Sequence, residues 1–262
     1  MRHLHILISL FCTVAPLAAA VSSNDIAYTD GDVQLAGAVF SPGDLKPGME
    51  VPGILVVPEW WGCNDYAKRR AAELAEQGYV AFACDMYGTG KVTSDPKQAG
   101  EWAGPFYKDR ALVLKRAGVA LAKLRAFGGV DRKRTAAIGF CFGGMVALEL
   151  ARSGEDLKGV VSYHGSLGTS QPAAQGSIKA SLLVLQGGAD PFVPPADVAT
   201  FMTEMTTAKA VWQMEIYGGA LHAFTNPAAA ELHKILPGVQ YDADAERRAF
   251  AASRTFLADV LR

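Results

Sequence analysis

The sequence is poor in the residues that define several functional classes. Four cysteines in 262 residues are too few for a disulfide scaffold. No Cys-x-x-Cys occurs and the cysteine spacings match no zinc pattern, so no metal centre is expected. Lys plus Arg number 25 against 26 Asp plus Glu, a net charge of −1, with no basic block. That balance argues against nucleic acid as the main partner. No apolar run reaches the roughly 20 residues of a membrane span, and there is no Ser/Gly linker, charge run or internal repeat. Half the residues are hydrophobic and only 19% are charged, which excludes a disordered or coiled-coil chain. A chain of this length can bury a sizeable core.

What is present starts with Arg2, an apolar stretch over 6–17 containing Pro16, and then Ala18, Ala19 and Ala20. A basic start, a short apolar run and small residues form the pattern of a secretory signal peptide. The expectation is cleavage near Ala20 and a periplasmic or secreted protein, with an uncleaved anchor as the alternative. No cysteine follows the small residues, which argues against a lipoprotein. The domain reading is therefore a signal peptide over 1–20 and one domain over 21–262, with no stable membrane span after cleavage.

Beyond that segment, short β-branched or apolar runs alternate with helical patterns. Strands are expected over 33–40, 54–57, 79–84, 135–138, 159–163, 182–185 and 211–216, with a hairpin turn at Asp30-Gly31. Helices are expected after Asp65, which offers an N-cap, through Leu114, Ala117, Leu121 and Leu124, from Met145, over 196–207, and through Phe250, Leu257 and Leu261. Residues 88–104 show no periodicity and read as a loop or cap segment. Buried apolar strands alternating with amphipathic helices predict an α/β fold, a mostly parallel central sheet with helices on both faces. Ligands then bind beyond the carboxyl ends of the strands.

Several of the 27 glycines fall at such ends. The strand 135–138 runs into Gly139-Phe140-Cys141-Phe142-Gly143-Gly144 and then a helix, a nucleophile elbow with Cys in place of the usual Ser. So tight a turn excludes bulky side chains two residues either side of the nucleophile. It also sets Cys141 at a helix N-terminus, where thiolate and oxyanion are favoured, and makes the Phe142 N–H an oxyanion donor. Taken alone, Gly-x-Cys-x-Gly also fits a buried structural cysteine beside a helix-packing glycine pair.

Its partners follow in the required chain order. Asp190 follows strand 182–185, and His222 follows strand 211–216. Nucleophile, acid and base thus appear in the order of an α/β-hydrolase. Asp197 reads as helical, His164 as a loop or pocket-wall residue, and His233 as surface or packing. Glu59 in Pro58-Glu59-Trp60-Trp61-Gly62 directly follows a strand. It is either a loop carboxylate in a surface pair or an acid facing the thiol, with the Trp60 N–H as second oxyanion donor. Trp60, Trp61, Phe140, Phe142 and Phe224 are candidates for an apolar pocket wall.

Together Pro58-Glu59-Trp60-Trp61-Gly62, Asp65-Tyr66, Asp85-Met86-Tyr87-Gly88, the Cys141 elbow, Asp190 and His222-Ala223-Phe224 resemble the dienelactone hydrolase family of α/β-hydrolases. The resemblance implies a Cys141–Asp190–His222 triad, an acyl-enzyme intermediate, and a small-molecule ester or lactone substrate, with no cofactor. It also implies that Glu59 contacts Cys141 at rest and, displaced by substrate, takes the thiol proton. Tyr87, Lys91 and Asn226 join Trp61 and Phe224 as pocket candidates. Two arginines that hold the substrate carboxylate in the family are absent: Gly88, Thr89, Gly90 and Lys91 stand at one site and Asn226 at the other. Lys91 can substitute for one charge, but not as a bidentate fork. The alternative function is an exported ligand-binding or thiol-redox protein, in which Cys63 and Cys84 could pair and leave Cys141 free.

Overall fold

The computed structural model describes residues 20–262. The expected signal segment lies outside the described residues apart from Ala20. The first two strands, β1 (Val21–Asp30) and β2 (Val33–Pro42), form an antiparallel hairpin. Its tight turn needs the left-handed backbone that Gly31 adopts at φ 59°. Next come β3 (Val51–Val57), α1 (Asp65–Glu76), β4 (Val80–Ala83), α2 (Pro96–Lys108) and α3 (Arg110–Arg125). The second half contributes β5 (Val130–Phe140), α4 (Phe142–Arg152), β6 (Gly159–Tyr163), β7 (Ser181–Gly187) and α5 (Pro195–Thr207). The chain closes with β8 (Trp212–Tyr217), the short α6 (Ala229–Leu232) and α7 (Ala243–Val260).

The eight strands form one sheet in the order β1-β2-β4-β3-β5-β6-β7-β8. β1 and β2 are antiparallel additions, and β3 to β8 run parallel. Side chains alternate across each strand, so continuous apolar strands feed two cores. Ile54 and Val56 enter the core shared with α1 and α7, where Ala67, Ala71, Ala249 and Leu257 are buried. Leu55 and Val57 enter the opposite core, with Val113 and Leu121 of α3, Val146 of α4 and Phe201 of α5. This is the α/β-hydrolase architecture expected from the sequence.

Two local expectations are corrected. Residues 88–104 are not all loop, because α2 begins at Pro96, with the Asp95 side chain accepting from the Lys97 N–H. Its buried face is only Ala99, Ala103 and Phe106, and Gly100, Gly104 and Pro105 interrupt the pattern. The cap of α1 is Asn64, whose Oδ1 accepts from the Ala67 N–H at 3.2 Å, and Asp65 is the first helical residue.

Candidate active site

The site lies at the carboxyl edge of the parallel strands, where β5 turns into α4. At this turn Cys141 takes φ 53°, ψ −114°, a strained conformation for a residue with a Cβ. Such strain costs about 1–3 kcal/mol and persists only where the surroundings enforce it. They do so here. A Cβ on Gly139 would overlap the Gly143 carbonyl, and one on Gly143 would overlap the Val57 carbonyl of β3. Tight backbone contact leaves the thiol partly exposed at the crest of the turn, with α4 directly behind it.

Cys141 Sγ lies 2.9 Å from His222 Nε2, and His222 Nδ1 donates to Asp190 Oδ2 at 2.8 Å. Asp190 also accepts from Gln186 Nε2 at 3.0 Å and from the Phe192 N–H at 2.9 Å. His222 is clamped from its far side. Its N–H donates to Gly238 O and its carbonyl accepts from the Gln240 N–H, both at 3.0 Å. Burial opposes charge on His222. Its interactions with Cys141 and Asp190 outweigh it and hold the imidazole pKa well above its ordinary value. Among the described residues, the N–H groups of Phe142 and Trp60 meet no protein acceptor. That leaves both donors available to a developing oxyanion.

Glu59 is buried, with Oε2 accepting from Asn226 Nδ2 at 2.6 Å and Oε1 without a partner. Burial pushes its carboxyl up to about 7, against the opposing pull of the Asn226 hydrogen bond and the charges on His222 and Arg70. The contact expected between Glu59 and Cys141 is not the one formed. The thiol pairs with His222, and the carboxylate is held by the amide of Asn226.

A cavity of about 260 Å³ opens over the thiol. Glu59, Trp60, Trp61, Cys141, His222 and Ala223 line it. Tyr107, Ser166, Phe192, Leu232, Leu236 and Val239 complete the wall, none of which the sequence reading had singled out. The Gly238–Gln240 clamp on His222 also delivers Val239, which shows how one segment serves both base and pocket. Of the other pocket candidates, Tyr87 is packed among Trp102, Phe106 and Phe142. Phe224 is fully buried against His164 and Tyr217, and Phe140 is likewise core. Lys91 faces a separate cleft with Lys68 and Asp85. Asn226 is buried, donates to Glu59 and does not line this cavity.

His164 is not a wall residue either. It is fully buried beneath the elbow, with Nδ1 3.2 Å from the Cys141 nitrogen. Cys63 and Cys84 do not pair, since both are free thiols. Cys63 belongs to the core under α1 and donates to Ala83 O at 3.4 Å, whereas Cys84 packs into the opposite core.

The sequence profile of the dienelactone hydrolase family matches residues 35–261. The chain belongs to the dienelactone hydrolase family. It is similar to the crystal structure of a dienelactone hydrolase-like promiscuous phosphotriesterase from metagenomic libraries, with 38% identity and a TM-score of 0.87. That match covers 93% of this chain and 100% of the other. An uncharacterised Caenorhabditis elegans protein is 34% identical over 155 residues, 58% of this chain and 97% of its own length. The "Putative carboxymethylenebutenolidase" of Escherichia coli K12 is 27% identical over 80% of this chain and 84% of its own length. The chain is accordingly a dienelactone hydrolase-like hydrolase acting on ester bonds, with a small-molecule substrate.

Proposed function

We propose that this member of the family is a cysteine-dependent hydrolase of uncharged carboxylic esters or lactones, working through an acyl-enzyme. The supporting observation is the unbroken line from Cys141 Sγ through His222 to Asp190, at 2.9 and 2.8 Å. The thiol proton resides on His222, and the thiolate attacks the ester carbonyl. The oxyanion that forms is received by the N–H groups of Phe142 and Trp60. His222 gives its proton to the departing alkoxide, leaving a thioester on Cys141. The thiolate that favoured imidazolium is now gone, so His222 becomes neutral and can take a proton from water. Attack by that water releases the acid and restores the thiolate–imidazolium pair. Asp190 keeps Nδ1 protonated throughout.

The substrate class follows from the wall of the cavity. Apart from Ser166 it is aromatic and aliphatic, and among the described residues no Lys or Arg lines it. A substrate carboxylate would be desolvated there without a partner, which is costly. Neutral acyl groups are therefore expected to outcompete carboxylate-bearing lactones. Export with cleavage near Ala20 belongs to the same proposal, and N-terminal sequencing of the protein recovered from cells checks it.

The deciding experiment compares neutral p-nitrophenyl esters, dienelactone and a phosphotriester as substrates, with Cys141→Ala as the blank. Mass spectrometry of the quenched reaction is expected to find an acyl adduct on the peptide containing Cys141. Undiminished turnover by Cys141→Ala would refute the mechanism. A preference for dienelactone over neutral esters would refute the substrate class.

A further inference from the structure

His164 touches the backbone of the nucleophile, yet the mechanism above gives it no task. β5 and β6 are in parallel register with Phe140 opposite Tyr163, so residues 141 and 164 emerge side by side at the edge of the sheet. The Cys141 N–H is shared between Tyr163 O at 3.0 Å and His164 Nδ1 at 3.2 Å. A backbone amide can only donate, so Nδ1 must present a lone pair. The ring proton then resides on Nε2, which lies 2.8 Å from Thr225 Oγ1 and donates to it. Thr225 is itself fixed. The Tyr66 hydroxyl meets its Oγ1 at 2.7 Å, and Arg70 Nη2 donates to its carbonyl at 3.1 Å. On its other flank the His164 ring packs edge-on to His222, with centroids 5.3 Å apart.

We propose that His164 is a positioning residue, held by Thr225 as the neutral Nε2–H tautomer. In that form it seats the Cys141 amide in the elbow and offers the His222 imidazolium an uncharged neighbour. Protonating Nδ1 would turn one N–H against another at Cys141 and place two like charges side by side. The groups around it agree. Burial first, then the charge on His222, then Arg70 from α1 depress its pKa well below the ordinary histidine value.

The proposal rests on Cys141 being the nucleophile, and its test separates the two. Nitrogen spectra of the histidine-labelled full chain are expected to show His164 with a bare Nδ1 and a protonated Nε2, unchanged from about pH 5 to about pH 9. His164→Leu removes one of the two acceptors of the Cys141 N–H, and the resulting misplacement of the thiol is expected to lower kcat about 10- to 100-fold with KM nearly unchanged. His164→Asn returns an acceptor oxygen close to the Nδ1 position and is expected to recover kcat to within about threefold of the parent. A titrating or Nδ1-protonated His164 would overturn the proposal. So would wild-type kcat in His164→Leu, or an Asn variant as impaired as Leu. If the Leu variant fails to fold, the Asn variant and the wild-type spectrum still decide. Full activity in Cys141→Ala would remove the nucleophile reading and leave the tautomer measurement standing.

Discussion

The elbow at Cys141 and the cavity wall above it meet at one sulfur but are held in place differently. The elbow is a backbone structure. Gly139, Gly143 and the carbonyls of Val57 and Gly143 touch so closely that no side-chain atom can be added. The wall is a side-chain structure, contributed by segments as far apart as Trp60 and Val239. Leu232 and Leu236 in it are only half-buried. Chemistry that needs placement to a fraction of an ångström sits on the rigid part. Selection among substrates, which changes by a methylene at a time, sits on the part that can be repacked.

The comparison is broken most severely by removing the sulfur. Cys141→Ala is expected to lower kcat/KM roughly a thousandfold or more with little change in unfolding midpoint, measured by ester turnover and calorimetry. Gly143→Ala attacks the backbone instead. Its methyl would overlap the backbone carbonyls of both Val57 and Pro58, so chemical denaturation should find a loss of about 3 kcal/mol. Unchanged stability there would mean that the elbow is less constrained than its contacts indicate.

Glu59→Gln tests the boundary between the two regions. The Glu59 carboxyl rises from 4.5 to about 7 on folding. Between those values the folded state holds a proton that the unfolded chain has released, so stability falls as pH rises through this window. It is fully present below 4.5 and lost above about 7. The neutral variant escapes this loss, and its advantage should grow across the window by on the order of 3 kcal/mol. Denaturation midpoints of both proteins at several pH values measure it. The smallest effect belongs to the wall. Leu236→Ala is expected to raise KM about threefold for a bulky neutral ester while kcat stays nearly constant.

The same division governs what the sequence made legible. Cys141, Asp190 and His222 could be placed because each follows a strand, and a strand end is a local property of the chain. The glycine spacing at the elbow was equally local. The wall was not, because Leu232 and Leu236 come from the short α6 and the chain after it, and Tyr107 from the end of α2. Helix α2 itself was hidden by Gly100, Gly104 and Pro105, although Asp95-Pro96 is a capping residue followed by a proline at the first helical position. The Asn226–Glu59 bond spans 167 residues and has no signature along the chain. Tyr87 and Phe224 were misplaced because an aromatic side chain beside a motif packs inward as readily as it faces a ligand.

Cys63 and Cys84 return in a different light when the protein is handled as a reagent. Burial pushes the Cys63 thiol up to about 12 and holds the Cys84 thiol well above its ordinary value, so neither offers thiolate at neutral pH. Cys141 is the partly exposed one. A gentle alkylating probe applied to the native form cleaved near Ala20 should therefore take up one equivalent, and the same form unfolded three, at Cys63, Cys84 and Cys141. The first count reports how many molecules in a preparation are competent, and the second how many are present. The ratio is a built-in standard for comparing batches and variants on a per-site basis.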